Sequence, residues 1–368
     1  MAGARAGWVW AVAAGAFAVA ALVCIPAGIE AAWLLMRSDD PVAISDRGLS
    51  RSFDQAVAVR EIEAALAAND ADLAKSFVEL AQERGVAVPQ ALAKQVAGAV
   101  ERAHSTVATA KRFARGLSTG EPDDVVGLAG TALGDLFVFG DIRDAVREGS
   151  RYVSGRQADE LLLGLACVGI AITAGTYASF GATAPARVGL SAVKAVRKTG
   201  RIGAGMADWL GRSLREEIDW QALGRAGRSF AEPVVAVRAA RQVVKAEKAE
   251  GLMKLVGDVG RVQARAGTKA ALDGLKIADG PRDVARIATL AEKKGSKTRA
   301  ILKTLGRGAI WLSIASFNLS LWILSAIFTL LGFVTSTKAA VERATLRYLA
   351  RNKARDRGHR LALAPQRA

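Results

Sequence analysis

An all-α integral membrane protein is the fold class this sequence predicts, and three observations predict it. The apolar residues, 51% of the 368, gather in long runs instead of alternating along the chain. Between the runs, apolar positions recur at helical spacing, and alternating Val, Ile and Thr strands are absent. The punctuation is helical, with Asp, Ser and Pro at expected starts and Gly or Asn at expected ends. A chain this apolar is not disordered. Two Cys and two His exclude a disulfide scaffold and leave little for a metal site.

A short N-terminus, residues 1–7, leads into residues 8–36, where Glu30 is the one charged side chain. About 20 apolar residues cross the hydrocarbon core as a helix. Trp10 and Trp33 would stand roughly 34 Å apart on its axis, near the two interfaces. The run exceeds a signal-peptide core and reads as an uncleaved anchor. Glu30 lies within a turn of Trp33, so its carboxylate is expected to snorkel.

Residues 37–117 read as a helical hairpin or bundle. Phe53, Ala56, Val59, Ile62 and Leu66 make one apolar face, and Ser52 with Gln55 opens it as a capping box. Asn69-Asp70 marks a break, Asp72 starts the next helix and Gly85 ends it. Leu92, Val96, Val100, Ala103, Val107 and Ala110 continue as a longer stripe. Within residues 118–160, Ser118, Glu121 and Pro122 resemble another helix start. Asp141 is expected to cap a helix running to Gly149, with Asp144 at its third position, and Asp159 to cap the segment after it. Asp135, Asp141, Arg143 and Asp144 form the candidate charged cluster. Caps and ordinary ion pairs are its expected role; a cation or proton site at the membrane surface is the alternative.

Residues 161–184 form a softer apolar segment, diluted by Gly164, Gly169, Gly175 and Gly181. Small residues permit close helix approach in lipid, so it is expected to cross or dip into the membrane, although a buried hairpin has the same composition. Residues 185–307 are basic and helical. Met206, Leu210, Leu214 and Ile218 share a face there, as do Val262, Ala266 and Ala270, and Asp279-Gly280-Pro281 is a turn. Residues 308–335 supply a terminal span, uncharged from Ala309 to Val334 and interrupted by Asn318 and several serines. Residues 336–368 are a basic C-terminal tail.

Three elements of the middle of the chain carry a resemblance: Gly140-Asp141-Ile142-Arg143-Asp144; Asp159, Gly164 and Gly169; and Pro185, Gly189, Ser191 and Lys194. Over about 65 residues the run resembles a module recurring in uncharacterised proteobacterial membrane proteins. More loosely, it is similar to the pre-toxin helical regions of bacterial polymorphic toxins. The resemblance implies no activity and assigns no catalytic residue.

The charge is divided. Residues 37–160 carry 15 Lys and Arg against 20 Asp and Glu, residues 187–307 carry 26 against 12, and the tail from Lys338 carries 9 against 2. Arg187, Lys194 and Arg201 recur every seven residues, joined by Arg197 and Lys198. Lys293, Lys294, Lys297 and Arg299 stand before the last span. Next to apolar runs, these nine are candidate contacts for anionic lipid headgroups, at about 1 kcal/mol each. With three spans and an N-terminus inside, residues 37–160 lie outside and the basic tail violates the positive-inside rule. If the central segment does not cross, everything between the anchors lies on one side and the tail returns to the cytoplasm.

Catalytic signatures are missing. Cys24 and Cys167 sit in apolar runs as small hydrophobes, and His104 and His359 have no partner at metal spacing. Gly200, Gly203 and Gly205 follow no strand, which removes a phosphate-cradling role. No cofactor or metal is expected. The expected function is that of a non-enzymatic, multi-pass bacterial inner-membrane protein, a helical scaffold or interaction protein. Its partners would be lipid headgroups and another protein or a second copy, with nucleic acid disfavoured because the charge abuts apolar runs. A membrane-perturbing or toxin-associated module is one alternative, and a subunit of an oligomeric channel or transporter is another.

Overall fold

The computed structural model describes residues 2–36, 39–105, 132–178, 184–225, 233–311 and 314–362, and among these the ordered elements are helices. In chain order they are α1 (Ala2–Met36), α2 (Pro41–Ser52), α3 (Gln55–Ala67), α4 (Ala71–Arg84), α5 (Gln90–His104), α6 (Ala132–Val153), α7 (Glu160–Ala178) and α8 (Ala184–Lys198). Then come α9 (Ala204–Glu217), α10 (Trp220–Arg225), α11 (Pro233–Val243), α12 (Glu250–Ala266), α13 (Thr268–Ile277), α14 (Pro281–Lys294), α15 (Thr298–Leu305) and α16 (Ile314–Ala362). The extended pairing among the described residues is one isolated bridge, Ile218 with Val244. The chain divides into two compact units, residues 1–39 with 312–368, and residues 40–311.

The first unit is an antiparallel pair. Gly28 of α1 lies against Trp322, Ile323 and Ala326 of α16, and Gly332 lies against Phe17 further back along α1. A Cβ on Gly28 would stand 2.5 Å from that of Ala326, so the glycines let the two helices close on each other. The outer faces are apolar and open: Val19, Leu22, Val23 and Ile29 on α1, Leu324, Ile327, Phe328 and Leu331 on α16. Val12–Trp33 and Ser320–Arg355 are helices long and apolar enough to cross a membrane. Glu30 is exposed. The side chain of Asn318 lies outside the described residues.

The second unit is built around α7. Residues 162–170 are all buried, enclosed by α6, α8, α9 and α11. Over residues 162–170 this corrects the expectation that residues 161–184 cross or dip into the membrane; the side chains of residues 174–178, and residues 179–183 altogether, lie outside the described residues. A helix whose apolar side chains are already covered by protein has no face left for lipid. Two of the glycines that dilute the segment are seats for its neighbours: Leu214 presses on Gly164, and the Asp141 carboxylate rests on Gly169.

The closest crossing in this unit joins α8 to α12. A Cβ on Gly189 would overlap the Val256 carbonyl, and one on Gly260 would overlap the Pro185 carbonyl. The two backbones touch, and only glycine permits it. Gly85 ends α4 in the left-handed conformation (φ 65°) and Asp159 caps α7 through the Leu162 amide at 3.0 Å, both as expected. The start of α4 differs: Asp70 caps it by accepting from the Leu73 amide at 3.3 Å, and Asp72 lies in its first turn. Met206, Leu210, Leu214 and Ile218 are all buried.

Several expectations fail. Val262 and Ala266 do not share a helix face with Ala270, because Gly267 (φ 91°) ends α12 and Ala270 belongs to α13. Ser52 and Gln55 form no capping box, because Ser52 ends α2 and its hydroxyl donates back to the Gly48 carbonyl. Asp54 caps α3 instead, at 2.8 Å from the Val57 amide. The buried face of α3 is Ala58, Ile62 and Ala65, rotated from the one expected, and Ala56 is exposed. Asp141 and Gly149 neither start nor stop a helix, since α6 runs unbroken through both. Ser118, Glu121 and Pro122 lie outside the described residues.

The two ends of the second unit meet. α2 packs on α14, α15 and the 3-10 turn Gly306–Ala309, with Gly48 against the Leu305 side chain.

The backbone contact of α8 with α12 fixes a stability test. Gly189→Ala and Gly260→Ala each gain about 1 kcal/mol of helix propensity and lose more to overlap with a carbonyl. A net loss of about 1–3 kcal/mol is expected in urea unfolding of the full-length protein in detergent. Gly257→Ala, on α12 with open space around its Cβ position, is expected to gain about 0.5–1 kcal/mol.

Candidate functional site

The densest chemistry outside the apolar pair lies where α6 and α8 pack over α7. Asp141 and Asp144 are three apart on α6, and Lys194 and Lys198 four apart on α8, so each pair faces one way. Lys194 Nζ stands 2.5 Å from Asp141 Oδ1 and 2.8 Å from Asp144 Oδ2, and Lys198 Nζ is 2.8 Å from Asp144 Oδ2. Asp144 is 1% exposed and Lys194 6%. Two carboxylates and two ammoniums therefore form a neutral charge square bonded along three sides, with Lys198 at its exposed corner.

Around it the pairing continues. Glu148, also buried, accepts from Arg147 Nε at 2.8 Å, Arg151 Nη1 at 3.1 Å and the Asp159 amide at 3.1 Å. Arg197 Nε donates to Asp159 Oδ2 at 3.0 Å, tying α8 to the cap of α7. Arg143 is exposed and reaches Asp144 only at 3.9 Å. The side chain of Asp135 lies outside the described residues.

Burial pushes the Asp141 carboxyl up from its ordinary value, against the pull of Lys194. Burial acts the same way on Asp144, but Lys194 and Lys198 outweigh it and hold that carboxyl low. Burial lowers Lys198, with Asp144 opposing. Cys167 sits on α7 beneath the square, wholly buried, and burial followed by the Asp141 charge pushes its thiol up to about 12. Such a thiol stays protonated and is not a nucleophile at neutral pH.

The basic residues before the last span form a second network across the ends of the unit. Lys294 Nζ is 2.7 Å from Asp46 Oδ1 and 2.7 Å from Glu83 Oε1, and Lys297 also pairs with Glu83. Arg299 bridges Asp70 at 2.6 Å and Asp273 at 2.8 Å, and Lys269 joins Asp70 at 3.2 Å. Nearer the exit, Asp283 accepts from Trp311 Nε1 at 2.5 Å and Arg307 Nη2 at 3.0 Å, while the Arg286 guanidinium lies 4.0 Å over the Trp311 ring.

The headgroup assignment is corrected accordingly. Lys194, Lys294 and Arg299 are buried, and Arg197, Lys198 and Lys297 are paired with acids of the same unit. A buried, paired cation does not reach a lipid phosphate. Arg187 is half-buried and acts on Asp141. Of the nine candidates, Arg201 and Lys293 are left exposed outside these networks. The sequence set Asp141 and Asp144 apart from Lys194 and Lys198, and the fold joins them.

Three buried carboxyls carried no sequence signal, Glu148, Glu217 and Asp258. Glu217 is raised by burial, and its Oε2 makes no hydrogen bond while Oε1 accepts from Ser213 at 2.6 Å. His104 pairs with Asp72 at 3.1 Å. Among the described residues no group of His, Cys, Asp and Glu could hold a metal ion. Comparison with known protein families, with curated proteins and with solved structures returns no match. The chemistry of the site is electrostatic closure of three helices.

Two mutational tests arise from these charges. Asp144→Asn leaves Lys194 and Lys198 short of a buried counter-charge, and a loss of about 3 kcal/mol or more is expected in urea unfolding. Asp141→Asn removes a charge that burial already opposes, and its loss should be clearly smaller.

Asp70 tests pH dependence. Burial raises it, but Arg299 and then Lys269 outweigh burial and hold it at about 2 against 3.8. A carboxyl lowered by folding stabilises the fold above its unfolded value and loses that contribution as pH falls through the folded one. About 2 kcal/mol should disappear between about pH 4 and 2. Asp70→Asn keeps the helix cap and is expected to remove this acid limb.

Proposed function

We propose that the chain is a non-enzymatic bacterial inner-membrane protein with two spans. It displays the helical unit of residues 40–311 on one face and the basic end of α16 on the other. The observation that carries this is the burial of residues 162–170 inside the helical unit. With the central segment consumed as core, α1 and α16 are left as the apolar helices open to lipid. Met36 and Ile314 lie at one end of this antiparallel pair, and both chain termini belong to the other.

The positive-inside rule discounts long domains and counts Lys and Arg close to the span ends. Arg37, Arg47, Arg51 and the six Lys and Arg from Lys293 to Arg307 also lie near the span ends, but they belong to the long domain that the rule discounts. On that reading Arg5, Lys338, Arg343, Arg347, Arg351 and Lys353 favour both termini in the cytoplasm and residues 40–311 outside it. The Ala-rich composition, with 35 Arg against 16 Lys, fits a bacterium of high GC content.

The role is a scaffold or interaction role. The buried thiol, the neutral charge square and the interlocked ion pairs suit a rigid display domain better than a reacting centre. Lipid headgroups remain partners where the spans meet the interface, at residues such as Lys338, and less through α8 than its sequence implied. A membrane-perturbing role would require α7 to leave a core that covers it on every side.

Cysteine labelling at positions 120, 250 and 360 of otherwise Cys-free full-length protein, in sealed membrane vesicles, tests the topology. Positions 120 and 250 are expected on one side and 360 on the other. Finding 120 and 250 on opposite sides would restore the third span and overturn the proposal.

A further inference from the structure

The apolar run of α16 ends at Val334, yet the helix continues without a break to Ala362. From Ala344 to Arg355 every residue is exposed. Three turns of helix therefore have every side chain exposed. Isolated helices of this length are marginal in water, and this one is held as the continuation of a longer helix.

Its surface is patterned. At 100° per residue, Val341, Thr345, Tyr348 and Leu349 fall on one side. Arg351 and Arg355 flank that seam at one edge and Lys353 at the other. Val341 is 58% exposed, Tyr348 66% and Leu349 57%, with Leu346 beside them at 66%. Arg343, Arg347, Arg351 and Arg355 recur every four residues, a like-charge spacing that costs helix stability by itself. Arg343 and Arg347 make interactions of their own, so the outer part of the stripe, Arg351 and Arg355, is what presents charge.

This helix end projects away from the bilayer if α16 spans it, so a docking role for it rests on the two-span proposal. Arg351 is 17 residues past Val334, about 25 Å along the axis. Even at a tilt of about 40° it stands roughly 19 Å from the end of the apolar run. The headgroup layer accounts for only about 5–7 Å of that. Lipid phosphates thus lie out of reach of Arg351 and Arg355. A second copy alongside would set basic edge against basic edge, a repulsive pairing. Duplex nucleic acid would answer the charge and leave Val341, Leu346 and Leu349 in water.

We infer that the α16 extension, through the seam of Val341, Tyr348 and Leu349 and its flanking Arg351, Arg355 and Lys353, docks an acidic amphipathic helix of a partner protein. Such a helix presents an apolar stripe with Asp or Glu at its edges. It buries the seam and sets carboxylates at one-turn spacing opposite the arginines.

The test uses full-length protein in neutral phosphatidylcholine nanodiscs, where both faces are accessible and binding does not depend on sidedness. The probes are a synthetic 21-residue helical peptide of Leu and Glu in amphipathic order, the same composition scrambled, and a 20-base-pair DNA duplex. The amphipathic peptide is expected to bind at least tenfold more tightly than the scrambled one and than DNA. The doubly substituted Arg351→Glu/Arg355→Glu and Leu346→Ser/Leu349→Ser proteins are each expected to lose at least tenfold. Equal binding of the two peptides, tighter binding of DNA, or affinity unchanged in either variant would overturn the inference. A failed topology with intact peptide binding would instead fault only the two-span proposal.

Discussion

A helix as apolar as α7 must cover its surface with lipid or with protein, and the second unit is organised by the choice of protein. Covering every side of it takes four neighbours, α6, α8, α9 and α11. Those neighbours belong to a region rich in charge, so some of their side chains turn inward with the packing. Lys194 is the clearest case. It is buried at 6% exposure, and an uncompensated ammonium there would cost several kcal/mol. Asp141 and Asp144 on the facing helix remove that cost. The charge square is thus a consequence of burying α7, and α7 stays buried partly because the square locks its cover.

Glycine makes the arrangement geometrically tenable. Gly164 and Gly169 take Leu214 and Asp141 against the backbone of α7, and Gly189 and Gly260 bring α8 and α12 into backbone contact. Dispersion and exclusion of water reward such closeness, but a single methyl group at these points would forfeit it. Small residues permit tight crossings in lipid and in water alike, which is why composition did not separate a membrane-dipping segment from a core helix.

Much of the helical framework was legible because its signals are local. Asp70, Gly85 and Asp159 punctuate as their side chains and backbone preferences dictate, and the two long apolar helices near the chain ends follow from length and apolarity. Partners of charge were not legible. Lys194 lies 53 residues from Asp141, and Arg299 lies 229 from Asp70, so no local pattern announces either pair. Read along the chain, a basic run before a span suggests lipid. Folded, the same run meets the acids of residues 46–83 and 273, so part of the basic excess of residues 187–307 is neutralised by the acidic region before it. Asp141 misled for a related reason: an Asp before a helical pattern usually caps, but here α6 extends a further turn and more upstream and carries the carboxylate into its middle.

A second concentration of basic charge lies at the other end of the chain, with 9 Lys and Arg against 2 Asp and Glu from Lys338. Within the second unit the entry helix α2 and the exit turn Gly306–Ala309 lie together, and within the first unit Met36 and Ile314 share one end of an antiparallel pair. Each unit by itself brings its two junctions close, as a domain inserted between neighbouring spans requires. The outer turns of α16, from Ala344 to Arg355, are exposed. Those turns combine exposed apolar side chains with outward-facing arginines, whereas the inserted unit pairs nearly every cation it buries. A chain that neutralises its interior so thoroughly and leaves one helix end both apolar and basic concentrates its capacity for recognition there.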